Sequence, residues 1–533
     1  MTRLTRTPRA ARAPQVLVVG AGPTGLALAL QAAAHGANVR IVDRRREAFR
    51  PSRALIMHPR TLEVLRPLGV TEQLLARADI APEAQVHVGS RVVHARLAEL
   101  VLADTAFPHL SLVRQMDVET ALADALADRG VEVERGTELI AVADEDRDRD
   151  GDGRVGACAT LQSSSGIEHA NFDYVVGCDG PESAVRRAAG IGWRGGAYKQ
   201  QVVLADLELD ASLARSMAHV VVGRRGLLFL FARGEQATWR LLVTQPAAPE
   251  PDPSPFGQPG SPVSLDQVQA LLDDAGLNAR ITALVWSARY RLQHRLAAPL
   301  RHDRLFVAGD AAHAYSPATG QGMNTGIQDA TNLGWKLAFA ASTASASDRT
   351  ALLDSYDRER RPVARQTLAM THLAFWVEAS TDPLPSLVRG TLAPLVAPMM
   401  PTLIHLRRPV AEAIRWISQL RVAYPDSPLS VEGTPRLHGG PRPGHRIPDA
   451  AVTTNGHRVR LHALLAQPGV HVLLQRDARA LERLSLGRHV TVHRVTSMPG
   501  TGLVAVRPDG YVGFRCGIAD TGQLEAWLAR LGA

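Results

Sequence analysis

The sequence predicts an α/β protein: an open, mostly parallel sheet with a β-rich insertion, followed by a smaller C-terminal α/β unit. Three observations support this. Residues 15 to 43 read as strand, glycine-rich turn, apolar helix and strand, which is one βαβ unit. Two further apolar strands end in glycine and aspartate, Tyr174-Val-Val-Gly-Cys-Asp179-Gly180 and Arg304-Leu-Phe-Val-Ala-Gly309-Asp310. Between them, residues 200 to 244 carry extended runs such as Gln201–Ala205 and Gly226–Ala232.

Taken in order, residues 1–14 are an Arg-rich tail (Arg3, Arg6, Arg9, Arg12) expected to be disordered. The parallel-sheet domain is expected over 15–197 and 291–375, with part of 80–105 joining the sheet of the insertion, 198–290. Pro246 to Pro262 reads as an exposed loop, 376–430 as a helical connection, and 431–533 as the last unit, opening at the Gly and Pro cluster of 433–449. Its order is helix (Leu461 to Leu465), strand (Val470 to Leu474), helix, strand (His489 to Val495), hairpin (Leu503 to Phe514) and helix (Gln523 to Leu531), which resembles a thioredoxin-like fold. Cys516 is its only cysteine, so it has no basis for dithiol chemistry.

Composition narrows the function. At 533 residues several domains are available, and the excess of 60 Lys and Arg over 52 Asp and Glu is scattered, without the aromatic-laced basic patches of a nucleic-acid surface. No apolar run is long enough to span a bilayer, and Leu392 to Leu406 is broken by Pro394, Pro398 and Pro401. Cys158, Cys178 and Cys516 lie far apart, so a reducing cytoplasm is expected and no metal site. Asp146 to Gly151 opens like a calcium loop, but Ala157 stands where the bidentate Glu is needed.

Two motifs carry chemistry. Gly20-Ala-Gly22-Pro-Thr-Gly25 follows a strand and opens a helix; its glycines permit a tight turn and close backbone approach to a pyrophosphate, which the helix N-terminus attracts. Asp43, at the end of the next strand, can accept hydrogen bonds from ribose hydroxyls. This pattern indicates a dinucleotide without choosing between FAD and NAD. The second, Gly309-Asp310-Ala-Ala-His313 on a strand, continues through Pro317, Gly320, Gly322, Met323, Asn324 and Gly326 into an apolar helix. Asp310 can bind a ribityl hydroxyl, and the glycines let backbone amides approach the pyrimidine edge of a flavin. His313 beside this loop is expected to be structural; His58 is ambiguous.

On these two motifs and on the segment CDGPESAVRRAAG, the chain resembles group A flavoprotein monooxygenases with the para-hydroxybenzoate hydroxylase fold. Weaker matches are Arg53-Ala54, His58–Thr61, Gln115, Leu353–Arg360 and Arg507–Arg515. The C-terminal unit is similar to that of aromatic polyketide hydroxylases, rifampicin monooxygenase and hydroxyphenylpropionate hydroxylase. The resemblance implies a Rossmann-like FAD-binding domain in which Asp43, Arg44, Arg53 and Gln115 contact FAD, Asp310 its ribityl chain, and Gly322 to Asn324 the isoalloxazine. Asp179 and Gly180 would serve both the FAD and the NAD(P)H steps. It implies hydroxylation of a phenolic or polyketide-like aromatic with NADH or NADPH and O₂, through a flavin C4a-hydroperoxide. The nicotinamide would bind transiently, since only one dinucleotide fingerprint is present. Arg53 is the candidate for favouring the ionised phenol, and Phe229 a candidate wall of the substrate pocket. Baeyer–Villiger, epoxidising or oxidase chemistry on the same fold, and an antibiotic-sequestering protein with structural FAD, are the alternatives. The expected partner is a small aromatic molecule, with neither nucleic acid nor membrane, and the expected state a monomer or homodimer.

Overall fold

The computed structural model describes residues 15–48, 55–80, 83–88, 91–96, 102–145, 156–223, 226–232, 234, 236–247, 253–380, 382–392, 407–479 and 487–533. Arg53, the aspartates of the calcium-like loop and most of the expected helix between Leu474 and His489 lie outside these residues.

The first sheet has six strands, in the order Arg301–His302, Leu305–Val307, Tyr174–Gly177, Val16–Val19, Val39–Asp43, Val133–Arg135. The inner pairings are parallel. Val16–Val19 and Tyr174–Gly177 are buried throughout, as expected of strands covered on both faces. Helix α1 (Pro23–Ala34) crosses from the first strand to Val39–Asp43. It packs against helix α2 (Gln321–Ala340), whose residues are almost all buried. Helix α3 (Ala346–Ala379) then runs across the molecule.

The insertion is an eight-stranded sheet, ordered His313–Ala314, Ala279–Ala298, Gly192–Ala211, Trp239–Pro246, Gly226–Phe231, Met217–Gly223, Glu83–Val88, Arg91–Arg96. Its two longest strands run past the expected 198 and 290 limits, from Gly192 and to Ala298, because their outer ends pair with each other. Alternation divides the sheet's faces. Val203, Ala205 and Leu241 pack towards helix Leu265–Asp274, whereas Val202, Leu204 and Tyr290 pack on Phe375 and Ala379 of α3.

The C-terminal unit holds a five-stranded mixed sheet, ordered Val431–Glu432, Val512–Cys516, Leu503–Val506, Val470–Gln475, Val490–Val495, with a final helix Thr521–Leu531. The expected strand at Gly309-Asp310 is not formed. The strand stops at Val307, and Gly309, at φ 60°, opens a single 3₁₀ turn over Gly309–Ala311.

Candidate active site

Parallel strands deliver their carboxyl ends to one edge, so the loops after Val19, Asp43, Gly177 and Val307 lie side by side. The glycines make this packing possible. Gly20 has φ 101°, and a β-carbon there would stand 2.4 Å from the carbonyl oxygen of Cys178. A β-carbon on Gly326 would stand 2.3 Å from Thr24 Oγ1, and one on Gly309 2.4 Å from the same atom. Thr24 is therefore the point where the first and last motifs, distant in sequence, are drawn together.

Asp43 is buried and holds the first loop in shape: its Oδ2 accepts from the Ala21 amide at 2.8 Å and its Oδ1 from the Arg45 amide at 2.9 Å. Arg44 is exposed, 4.0 Å from Glu138. Gln115 opens helix Gln115–Ala127 and donates to Glu119 at 2.7 Å. Asp179 accepts from the Ala184 amide through Oδ2, at 2.7 Å, while its buried Oδ1 has no hydrogen-bond partner among the described residues. Burial raises the Asp179 acid above the ordinary carboxylate range despite its hydrogen bonds to Ser183 and the following backbone. Gly180, at φ 81°, has open space where a β-carbon would stand.

At the other end, Asp310 is half-buried in its 3₁₀ turn. Pro317 leads into a left-handed pair, Thr319 at φ 63° and Gly320 at φ 65°, from which α2 starts. Met323 is buried, and Gly322 has free space beside it. Asn324 fixes this loop: its Oδ1 accepts from the His58 amide at 2.9 Å and Thr61 Oγ1 at 2.7 Å, and its Nδ2 donates to the carbonyls of Ile56 and Gly320. The Asn324 amide therefore organises the loop, leaving ligand approach to the backbone. His58 is buried, its Nε2 3.0 Å from the Thr319 carbonyl, and burial lowers its pKa to about 4, so it stays neutral.

A further set, which spacing alone did not reveal, supports the turn from behind. Asp329 lies 2.5 Å from His313 Nε2, accepts from Arg360 Nε at 2.7 Å and receives the Gly309 amide at 3.2 Å. Desolvation opposes its charge, but His313 and Arg360 outweigh it and hold the carboxyl below the usual range. Arg360 also donates to Tyr424 Oη at 3.0 Å. His313 is completely buried in this network. Arg186 stacks on Trp193, 4.0 Å from the ring centre, and donates to the carbonyls of Ala311 and Pro181.

These residues fit a flavin dinucleotide. Helices α1 and α2 begin at Gly22 and Gly320, neither with a side-chain cap, so their first amides are available to an anion or a polar ring edge. Among the described residues, no cluster of His, Cys, Asp or Glu could hold a metal, and no helix is long and apolar enough to cross a membrane.

Comparison with known proteins agrees. Residues 13–371 match the family described as FAD binding domain, and 440–532 match "Aromatic-ring hydroxylase, C-terminal". The chain belongs to this family of flavoproteins, the group A aromatic-ring monooxygenases. It is 32% identical to 6-methylpretetramide 4-monooxygenase of Streptomyces rimosus over 98% of this chain and 94% of the relative. It is 34% identical to rifampicin monooxygenase of Streptomyces venezuelae over 72% and 75%. Its fold superposes on OxyS anhydrotetracycline hydroxylase from Streptomyces rimosus with a TM-score of 0.74 at 27% identity, covering 97% of this chain and 99% of that one. The protein is an FAD-dependent monooxygenase.

Proposed function

We propose that the chain hydroxylates a phenolic, polyketide-like aromatic, with NADH or NADPH as reductant and O₂ as the oxygen source. The observation that carries this reading is near-full-length similarity to a relative named as a 6-methylpretetramide monooxygenase, joined to an apolar sheet face beside the Gly309–Asn324 loop. In this reading 15–197 and 291–375 form the FAD-binding unit, 198–290 the substrate unit, 376–430 the connection, and 431–533 a thioredoxin-like unit.

When bound, FAD supplies hydride acceptance and activation of O₂ towards an electron-rich carbon. The chain does the rest. The Gly20–Gly25 turn and α1 hold the pyrophosphate, Asp43 and Asp310 bind the ribose and ribityl hydroxyls, and the amides at Gly322 to Asn324 favour negative charge on the ring edge. Asp179 and Gly180 assist both FAD and nicotinamide binding, and Arg44, Arg53 and Gln115 add contacts to FAD. Arg53 is the residue proposed to favour the ionised phenol. The sheet face that bears Leu204 and Leu242 excludes water and orients the ring. Phe229 lies on this face, opposite Leu242 in register and stacked on Phe231.

Purified protein is expected to release FAD on denaturation, and its NAD(P)H oxidation should rise severalfold with a phenol or aromatic polyketide present. Release of FMN, or an oxidation rate indifferent to every such compound, would contradict the reading.

A further inference from the structure

Four aromatic rings meet where helix α3 crosses the insertion sheet. Tyr198 lies on the sheet side that carries Val202, Leu204 and Leu242 and packs with them on Phe375 of α3. Its ring centre stands 4.8 Å from that of Phe375, 4.8 Å from that of His294 on the neighbouring strand and 5.6 Å from that of His372 on α3. The loop that carries the second glycine motif reaches the same point. Ser316, the residue before Pro317, is buried beside the Tyr198 phenol and donates through Oγ to the Thr371 carbonyl at 3.0 Å. Tyr198 thus joins strand, helix and loop, with His372 exposed on the solvent side.

Ring packing alone would be served by phenylalanine, so the polar atoms need an account of their own. Tyr198 Oη lies 3.3 Å from His372 Nδ1. Burial pushes the phenol up to about 12, so it keeps its single proton. The Ser316 proton is committed to the Thr371 carbonyl, which leaves Ser316 Oγ an acceptor towards Tyr198. Whether the phenol donates to Ser316 or to His372, no proton remains for a third partner, and towards a ligand its oxygen can only accept. His294 adds a second open position: its Nδ1 is buried with no hydrogen-bond partner among the described residues, and burial lowers its pKa. A polar cluster set in an apolar face and short of partners calls for a ligand that brings a donor.

We propose that Tyr198 is a specificity-determining residue: its phenol oxygen, held by Ser316 and His372, accepts a hydrogen bond from a ring hydroxyl of the aromatic substrate and so favours hydroxylated over alkylated rings. This role rests on the aromatic-substrate reading above and adds to it the residue that receives the hydroxyl. A site built to hydrogen-bond a substrate hydroxyl rejects the analogue lacking it, because its own polar group is then left unpaired.

The test uses the FAD-loaded enzyme and two probes of nearly the same shape, naphthalene-2,6-diol and its dimethyl ether. Binding is followed by quenching of flavin fluorescence at about pH 8, where a free phenol keeps its proton. The wild type is expected to bind the diol about fivefold or more tightly than the ether. Tyr198→Phe keeps the ring contacts and should bring the two probes within about twofold of each other by weakening the diol alone, with FAD content unchanged. His372→Phe removes one support of the phenol and should lower the preference at least about twofold; it decides the matter should Tyr198→Phe fold poorly. A preference undiminished in Tyr198→Phe, a loss there shared equally by both probes, or no preference in a wild type that binds both, overturns the role of Tyr198 and leaves the aromatic reading standing. Failure of both probes to bind the wild type overturns the two together.

Discussion

At the scale of single residues, the glycines of the two motifs do different work from the one their spacing suggests. Gly309 and Gly326 are needed less for a ligand than for Thr24, whose hydroxyl occupies the space a β-carbon would take on either. Overpacking a close helix contact costs about 1–3 kcal/mol, so Gly326→Ala should lower the urea midpoint accordingly. Thr24→Ala in the same chain should restore most of the loss. A neutral single variant, or a double variant no better than the single, would contradict this packing. That glycine is required at these positions was legible in the sequence, because the backbone need shows in the residue type. The partners of Asn324 and Asp329 were not, since a hydrogen bond from Asn324 to the His58 amide joins positions that no local spacing relates.

At the scale of elements, the C-terminal unit is bound to the helices behind the flavin loops by buried charge. Glu359 on α3 accepts from Arg507 at 2.7 and 2.8 Å and from Lys336 of α2 at 2.8 Å, while Arg507 also engages Asp509. Desolvation works against the Glu359 charge, but Arg507 and Lys336 keep its acid far below the usual range. Removing one member of a buried ion network leaves the others uncompensated, typically at about 3–5 kcal/mol. Arg507→Met is therefore expected to destabilise the protein by about that amount in denaturant titration; a loss under about 1 kcal/mol would show that the network is dispensable. The Leu353–Arg360 and Arg507–Arg515 segments were recognisable as motifs in the sequence, but their role was hidden, because each is half of a contact made with the other. Strand limits were hidden for a related reason. Gly192–Ala211 and Ala279–Ala298 are long ribbons whose outer ends fall within the expected FAD-binding unit until their mutual pairing is known.

At the scale of the whole molecule, the loop after the parallel sheet is joined directly to the insertion sheet. The loop that would hold the flavin ring edge also supplies a strand to the insertion: His313 and Ala314 pair with Leu296 and Arg295. The cofactor-binding edge and the apolar sheet face therefore share a covalent and hydrogen-bonded hinge, which limits their relative drift, and drift of about 1 Å can cost on the order of 10²-fold in rate. The α/β class, the inserted sheet and the family were all readable from ordered motifs. The substrate-facing surface was not, because its residues come from strands and a helix that alternate faces without any signature. The proposed function requires that this assembly transfer one atom of O₂ to an aromatic ring. The most direct test is turnover of the FAD-loaded enzyme with NADH or NADPH under ¹⁸O₂, using a panel of phenols and aromatic polyketides and measuring product mass. A hydroxylated product carrying a single oxygen from ¹⁸O₂ is expected, whereas unlabelled product, or reductant consumed entirely to H₂O₂ with every member of the panel, would contradict that transfer.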